Sequence, residues 1–270
     1  MSTVRVVTDG GADLPAEIAE QLGIRVVAGA VRFGERVFEG DAAAFWRELR
    51  GGAAVPSTAP PGVRALCDAF AGDGPALAVH VSAELSRTEE HARAAAAAVS
   101  NPVHVVDSRS LSVGTGLVAM VAAQASDVDV EFDELQRLAR SLVERVHVHA
   151  VIEAVDYLVR GGRAGLLDAS DARHGARQLL AVKGHAIPMR RVKDRRRAIG
   201  ELLDHIAHNH AGHGVQHWAV AHGDAADVDD TVERARQVFG TQPTFVTLLG
   251  PSVGTHAGPD ALVLGALTRP

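Results

Sequence analysis

A single cysteine, Cys67, stands among 270 residues. That excludes an intramolecular disulfide framework and a multi-cysteine zinc site, and it fits a reducing compartment. Aromatic residues are only 4% of the chain, too few for a base-stacking platform, so the core must rest on Ala, Val and Leu. Cations are not in excess: 27 Lys and Arg against 33 Asp and Glu leave a net charge of −6. The chain as a whole therefore has no electrostatic attraction for nucleic acid or an anionic membrane. No long hydrophobic run is present either. Ser110 to Ser126 and Gln237 to Pro259 lack Asp, Glu, Lys and Arg. The first falls short of the ~20 residues a span needs, and the second is broken by Pro243, Gly250, Pro251 and Gly258. The start, MSTVRVVTDGG, has no basic segment followed by an apolar one, so the expectation is a cytoplasmic protein without stable membrane insertion. Walker A, GxGxxG and GxSxG motifs are all missing, which removes the usual signatures of nucleotide binding and of an esterase elbow.

What is present is an ordinary globular mix, 47% apolar and 22% charged. Short β-branched runs (Val4–Thr8, Ile24–Phe33, Ala76–Ser82, Val103–Asp107) alternate with helical patterns. One such pattern follows Asp13, read as its cap, and another follows the capping box Ser86-Arg87-Thr88-Glu89. Leu111–Ala125 is apolar on nearly every side and reads as a buried helix, while Leu135, Leu138, Leu142 and Val146 mark an amphipathic one. Such alternation predicts right-handed crossovers and a parallel sheet. The second half is less regular, with strands at His147–Glu153, Leu179–Met189, Gln216–His222 and Phe245–Leu249, and helices at Asp156–Arg160, Arg195–His210 and Ala225–Phe239. The expected fold is α/β in two domains: an N-terminal parallel-sheet domain over residues 1–146 and a C-terminal mixed-sheet α+β domain over 147–270, with a ligand at their interface.

Five segments carry chemistry. Thr8-Asp9-Gly10-Gly11-Ala12-Asp13 follows the first strand, where open α/β sheets place ligand loops, although Asp13 capping a helix explains it equally simply. Ser57 and Thr58 form a hydroxyl pair in the proline-rich PSTAPPG, suited to a carboxylate or a phosphate. Ser86 opens a helix, where free N–H groups favour an anion or are used up by the cap. Arg160-Gly161-Gly162-Arg163 adds an arginine fork, and His256 lies on a Gly- and Pro-rich loop. Two further clusters carry less weight. His205, His208, His210 and His213 crowd a helix end, the first pair at the i, i+3 spacing that could hold a metal, but no cysteine and no carboxylate after Asp204 stands near to complete the ligands, and no metal is expected. The basic run Arg190, Arg191, Lys193, Arg195, Arg196, Arg197 reads as a solvated edge or an acidic-partner face.

The order TDGGADLP, PSTAPPG, VSAELSRT, VVDSRSLSVGTG, VDYLVRGGRAG, THAGPDAL resembles the DegV family over nearly the whole chain. The resemblance implies a bacterial protein that binds a long-chain fatty acid, its carboxylate at the domain interface and its tail in an apolar tunnel. Some such proteins are the acyl-carrying subunit of a fatty acid kinase. It implies no cofactor and no catalysis by this chain, the partners being the lipid and an ATP-dependent kinase subunit. Carried over by position, Ser57, Thr58, Ser86, Arg87 and His256 hold the lipid carboxylate, and Arg163 faces the head group or the partner. Leu111–Ala125 is expected to line the tunnel, and the loop after Leu180 is shorter than the family's. Arg87 and Asp260 stand where the family has glycine, and are expected to pair with each other. Two other readings stand beside this one: a hydrolase or transferase using Ser86 or Ser57 with His256 as base, and a degenerate member that has lost its clamp through Arg87 and Asp260.

Overall fold

The computed structural model describes residues 4–52, 54–126, 130–163, 177–210 and 214–270. The first sheet is parallel, in the order β2-β1-β6-β7, from β1 (Arg5–Asp9), β2 (Arg25–Val27), β6 (Ala76–His80) and β7 (Val103–Asp107). Its central strand β6 is buried at every position, as expected of a parallel strand covered on both faces. Helices α1 (Ala16–Gln21), α3 (Val63–Phe70) and α4 (Thr88–Ala98) return the chain between its strands. The second sheet is mixed and has six strands in the order β10-β9-β8-β13-β11-β12. They are β8 (Val146–Ile152), β9 (Arg177–Lys183), β10 (His185–Val192), β11 (Val215–His222), β12 (Phe245–Leu248) and β13 (Leu262–Thr268). Around it lie α7 (Val155–Arg160), α8 (Arg195–His210), α9 (Val228–Phe239) and α10 (Pro251–Ala257). The α/β class and the parallel-then-mixed arrangement are those expected.

Between the sheets runs α5 (Val113–Ser126), followed by the amphipathic α6 (Phe132–Arg145). Ten of the fourteen residues of α5 are buried, because this helix touches β1 and β6 on one side and β8, β11 and β13 on the other. Small residues permit the approach: a Cβ on Gly114 would meet Val148 Cγ2 at 2.3 Å, and one on Gly116 would meet the Ala12 carbonyl at 2.6 Å. The largest hydrophobic cluster is likewise shared, joining Phe45, Trp46 and Leu117 to Ala150, Leu180, Leu249 and Val263.

Four expectations need correction. Ile24–Phe33 is two strands, because the chain leaves the parallel sheet at Ala28-Gly29 and enters a separate three-stranded sheet, β4-β3-β5. That sheet comprises β3 (Ala30–Phe33), β4 (Arg36–Val37) and β5 (Pro56–Ala59), and with α2 (Ala42–Arg50) it was not foreseen. Glycine is needed at the junction, since a Cβ on Gly29 would lie 2.3 Å from the Ala59 carbonyl. Leu179–Met189 is likewise two strands, folded back at Gly184 (φ 82°). Leu180 lies within β9, so the turn comes later than read from the sequence.

Asp13 does not cap a helix: α1 starts after Pro15. Instead Asp13 sits buried at φ 45°. Its carboxylate accepts from Ser112 Oγ at 2.5 Å and from the Gly250 N–H at 2.8 Å. It thus joins the β1 loop to the starts of α5 and α10. Burial without a cation pushes its pKa up to about 7, against the two hydrogen bonds that lower it.

Candidate functional site

At the C-terminal end of β1, beside the small sheet and α10, a cavity opens with about 970 Å³ of atom-free space, its mouth included. One wall is apolar: Ala150 and Ile152 of β8, Leu180 and Val182 of β9, Ala186 of β10 and Val263 of β13. Period-2 alternation puts these positions on one face of the mixed sheet. The other end is polar and gathers Thr58, Ser86, Arg163 and His256 with the Asp9-Gly10-Gly11 loop.

His256 is on a helix rather than a loop, in the last turn of α10, with Pro251 at its start. Its Nε2 is 2.9 Å from Thr58 Oγ1. The ring abuts Gly161, where a Cβ would come within 2.1 Å of Nδ1, so the glycine of RGGR makes room for it. Burial, and then the nearby Arg163 guanidinium, hold His256 down to about 4, so it is neutral at pH 7. Nδ1 is buried and has no partner among the described residues. A buried N–H without an acceptor costs more than a bare lone pair. The ring proton therefore belongs on Nε2, donating to Thr58 Oγ1 and leaving the threonine hydroxyl proton for a ligand.

Arg163 donates from Nε to the Leu85 carbonyl at 3.1 Å and from Nη1 to the Gly161 carbonyl at 2.6 Å, which fixes its fork at the cavity. Ser86 is not the cap expected of it, because Arg87 takes the N-cap position of α4 and no side chain caps that helix; Ser86 Oγ instead accepts from the Thr88 N–H at 3.2 Å, with Thr88 Oγ1 at 2.8 Å. Asp9 is buried and accepts from the Gly11 and Val81 N–H groups at 2.8 and 3.1 Å, and pairs with His80 Nδ1 at 3.0 Å. Those donors let a carboxylate remain beside a site suited to anions.

Thr58, Ser86, Arg163 and His256 are thus brought together; Ser57 and Arg87 are not. Ser57 is exposed, because alternation along β5 sends it to the face opposite Thr58. Arg87 has a side chain 70% exposed and forms a fork on Glu90 at 2.8 and 2.9 Å, its neighbour one turn along α4. The expected Arg87–Asp260 pair does not form, since Asp260 binds Arg50 of α2 at 2.9 Å. Nor does α5 line the cavity: only Leu111, just before it, reaches the wall, the helix being spent on filling the space between the sheets. The basic run forms a solvated edge, as one of its two readings has it: Arg190, Arg191, Lys193, Arg196 and Arg197 are exposed, with Arg190 and Arg197 pairing with Glu201, while Arg195 is drawn in between Glu153 and Asp227. Among the described residues no group of three or more His, Cys, Asp or Glu is placed to hold a metal, and no helix is long and apolar enough to cross a membrane. His213 and the side chain of His210 lie outside the described residues.

Two polar lining groups were missed in the sequence as part of the site, Thr88 and Ser252, whereas Asp9 lies on the loop after β1 that the sequence marked as a ligand-loop candidate. The signal for Ser252 was its i, i+4 spacing to His256, legible only once Pro251 is read as the first residue of a helix.

A family model for uncharacterised proteins of the DegV family matches residues 3–269. The chain belongs to the DegV family. A DegV domain-containing protein of Mycobacterium tuberculosis is 30% identical over 272 residues, covering 96% of this chain and 95% of the relative. One from Streptomyces coelicolor is 30% identical over 274 residues, covering 96% of each. Among solved DegV structures, a lipid-binding protein from Thermotoga maritima superposes with a TM-score of 0.88 at 23% identity, over 99% of both chains. DegV of Bacillus subtilis, described as a fatty acid binding protein, gives 0.88 at 21% identity over 100% of both. At these identities the structures establish the shared fold.

Proposed function

We propose that the chain binds one long-chain fatty acid in this cavity. The carboxylate is held by Thr58, Ser86 and Arg163, with His256 orienting Thr58, and the tail lies along the apolar wall of β8, β9, β10 and β13. The observation that carries the reading is a largely apolar cavity ending in one compact set of donors with a single arginine. Each methylene buried contributes about 0.8 kcal/mol, so a long tail offsets the cost of desolvating one carboxylate. The description of the B. subtilis relative as a fatty acid binding protein supports the same reading. With no nucleotide motif in the sequence, conversion of the bound carboxylate to an acyl phosphate falls to a separate ATP-dependent kinase, to which this chain presents the lipid.

The hydrolase reading has less support. His256 Nδ1 lacks an orienting carboxylate among the described residues, Asp260 is taken by Arg50, and a pKa of about 4 makes His256 a weak base. The degenerate-member reading loses its premise, because Arg87 and Asp260 are paired away from the donors. Organic extraction of the purified protein followed by mass spectrometry, with uptake of palmitate or oleate by the delipidated protein, tests the proposal. One equivalent of fatty acid is expected. Finding no lipid and no uptake overturns it.

A further inference from the structure

The polar end of the cavity holds more than a carboxylate needs. Ser252 lines it from the first turn of α10, one helical turn before His256 and on the same face. Its hydroxyl has no hydrogen-bond partner among the described residues. Opposite it lies Asp9, which also lines the cavity. The two meet across Gly11, where a Cβ would stand 3.0 Å from Asp9 Oδ1 and 3.9 Å from Ser252 Oγ. A carboxylate offers about four acceptor positions. Asp9 Oδ2 accepts from Val81 and pairs with His80, whereas Oδ1 accepts only from Gly11 among the described residues. An unused donor and an unused acceptor position therefore stand together beside the carboxylate donors. A Cβ at position 11 would also press on Val81 Cγ1 at 2.8 Å, so glycine is what fits between the two groups.

This juxtaposition suits a group that donates one hydrogen bond and accepts another, which is the chemistry of a hydroxyl. A second carboxylate is repelled by Asp9, and a methylene leaves both groups unmatched. We infer that Ser252 and Asp9 form a subsite for a hydroxyl near the head of the acyl chain, so that the cavity favours 2-hydroxy or 3-hydroxy fatty acids over unsubstituted ones. The distance agrees: Cβ atoms one helical turn apart are separated by about 5–6 Å, so Ser252 stands a short step along the chain from the groups that hold the carboxylate. This inference rests on the fatty-acid reading of the cavity.

The test is titration of the delipidated full-length protein with hexadecanoic, 2-hydroxyhexadecanoic and 3-hydroxyhexadecanoic acids. One hydroxy acid is expected to bind about fivefold more tightly than hexadecanoic acid, as one well-placed hydrogen bond gives. That ratio is expected to collapse towards one in Ser252→Ala and to return in Ser252→Thr, which restores the hydroxyl. Circular dichroism of each variant confirms its fold. The inference is overturned if both hydroxy acids bind no better than hexadecanoic acid, or if the preference survives Ser252→Ala. Failure of all three acids to bind overturns the fatty-acid reading as well, which separates the two failures.

Discussion

The loop after β1 carries two aspartates four residues apart, and the structure uses them in opposite ways. Asp13 lies in a closed joint: both neighbours, the Ser112 hydroxyl and the Gly250 N–H, come from the chain itself. Asp9 lies at the edge of an open cluster, where the Ser252 hydroxyl and His256 Nδ1 lack partners among the described residues. Burial alone does not separate a joint from a ligand site, since both aspartates are buried. What separates them is whether the local hydrogen bonds close without a ligand. A joint should show in stability and a site in affinity, and each variant below breaks or sharpens that division.

The largest effect belongs to Asp13. Its pKa is raised from 3.8 to about 7, so the folded state holds a proton the unfolded state has lost. Stability from this group is complete below about pH 4 and falls as pH rises towards 7. Asp13→Asn mimics the protonated form. The stability difference between the variant and the parent, by urea unfolding, should grow with pH to something of the order of 4 kcal/mol above pH 7. Palmitate affinity should move by less than about threefold; a loss of binding with a flat stability difference contradicts the division.

His256 titrates with the opposite sign. Its pKa is lowered from 6.5 to about 4, so its contribution is complete above about pH 6.5 and is lost as pH falls towards 4. His256→Gln keeps an N–H for Thr58 and should remove that rise, worth of the order of 3 kcal/mol, from the unfolding curve.

Smaller effects are expected in affinity. Arg163→Gln removes the one cation among the cavity donors and should weaken palmitate by about 1.5–3 kcal/mol, read by calorimetric titration. Thr58→Val keeps the shape of the side chain and removes the hydroxyl, for a loss of about 1 kcal/mol. The smallest effect is that of Arg87→Ala. Its exposed pair with Glu90 stands off the cavity, so affinity should stay within about twofold of the parent.

How much of this was legible in the sequence follows the same division. Periodicity found the parallel strands, the buried α5 and the amphipathic α6, because burial on one face or on all faces leaves a repeat. The small sheet and α2 escaped: β4 has two residues, and β3 runs on from β2 with only Ala28 and Gly29 between them. Thr58, Ser86, Arg163 and His256 were found because motif order marks the polar end. Ser57 and Arg87 fell beside them in sequence yet face away, one by strand alternation and one by its pairing on α4. The apolar wall left no motif at all. Ala150, Leu180, Ala186 and Val263 meet only through strand pairing across β10, β9, β8 and β13, which no local window contains.

The central claim, a fatty acid carboxylate held at the Thr58, Ser86 and Arg163 end of the cavity, is tested most directly by carbon-13 NMR. The probe is palmitate labelled at its carboxyl carbon, titrated into delipidated protein. One bound resonance is expected, distinct from free palmitate, that saturates at one equivalent and shifts in Thr58→Val but not in Arg87→Ala. Observing only free palmitate, or a bound resonance indifferent to Thr58→Val, would contradict it.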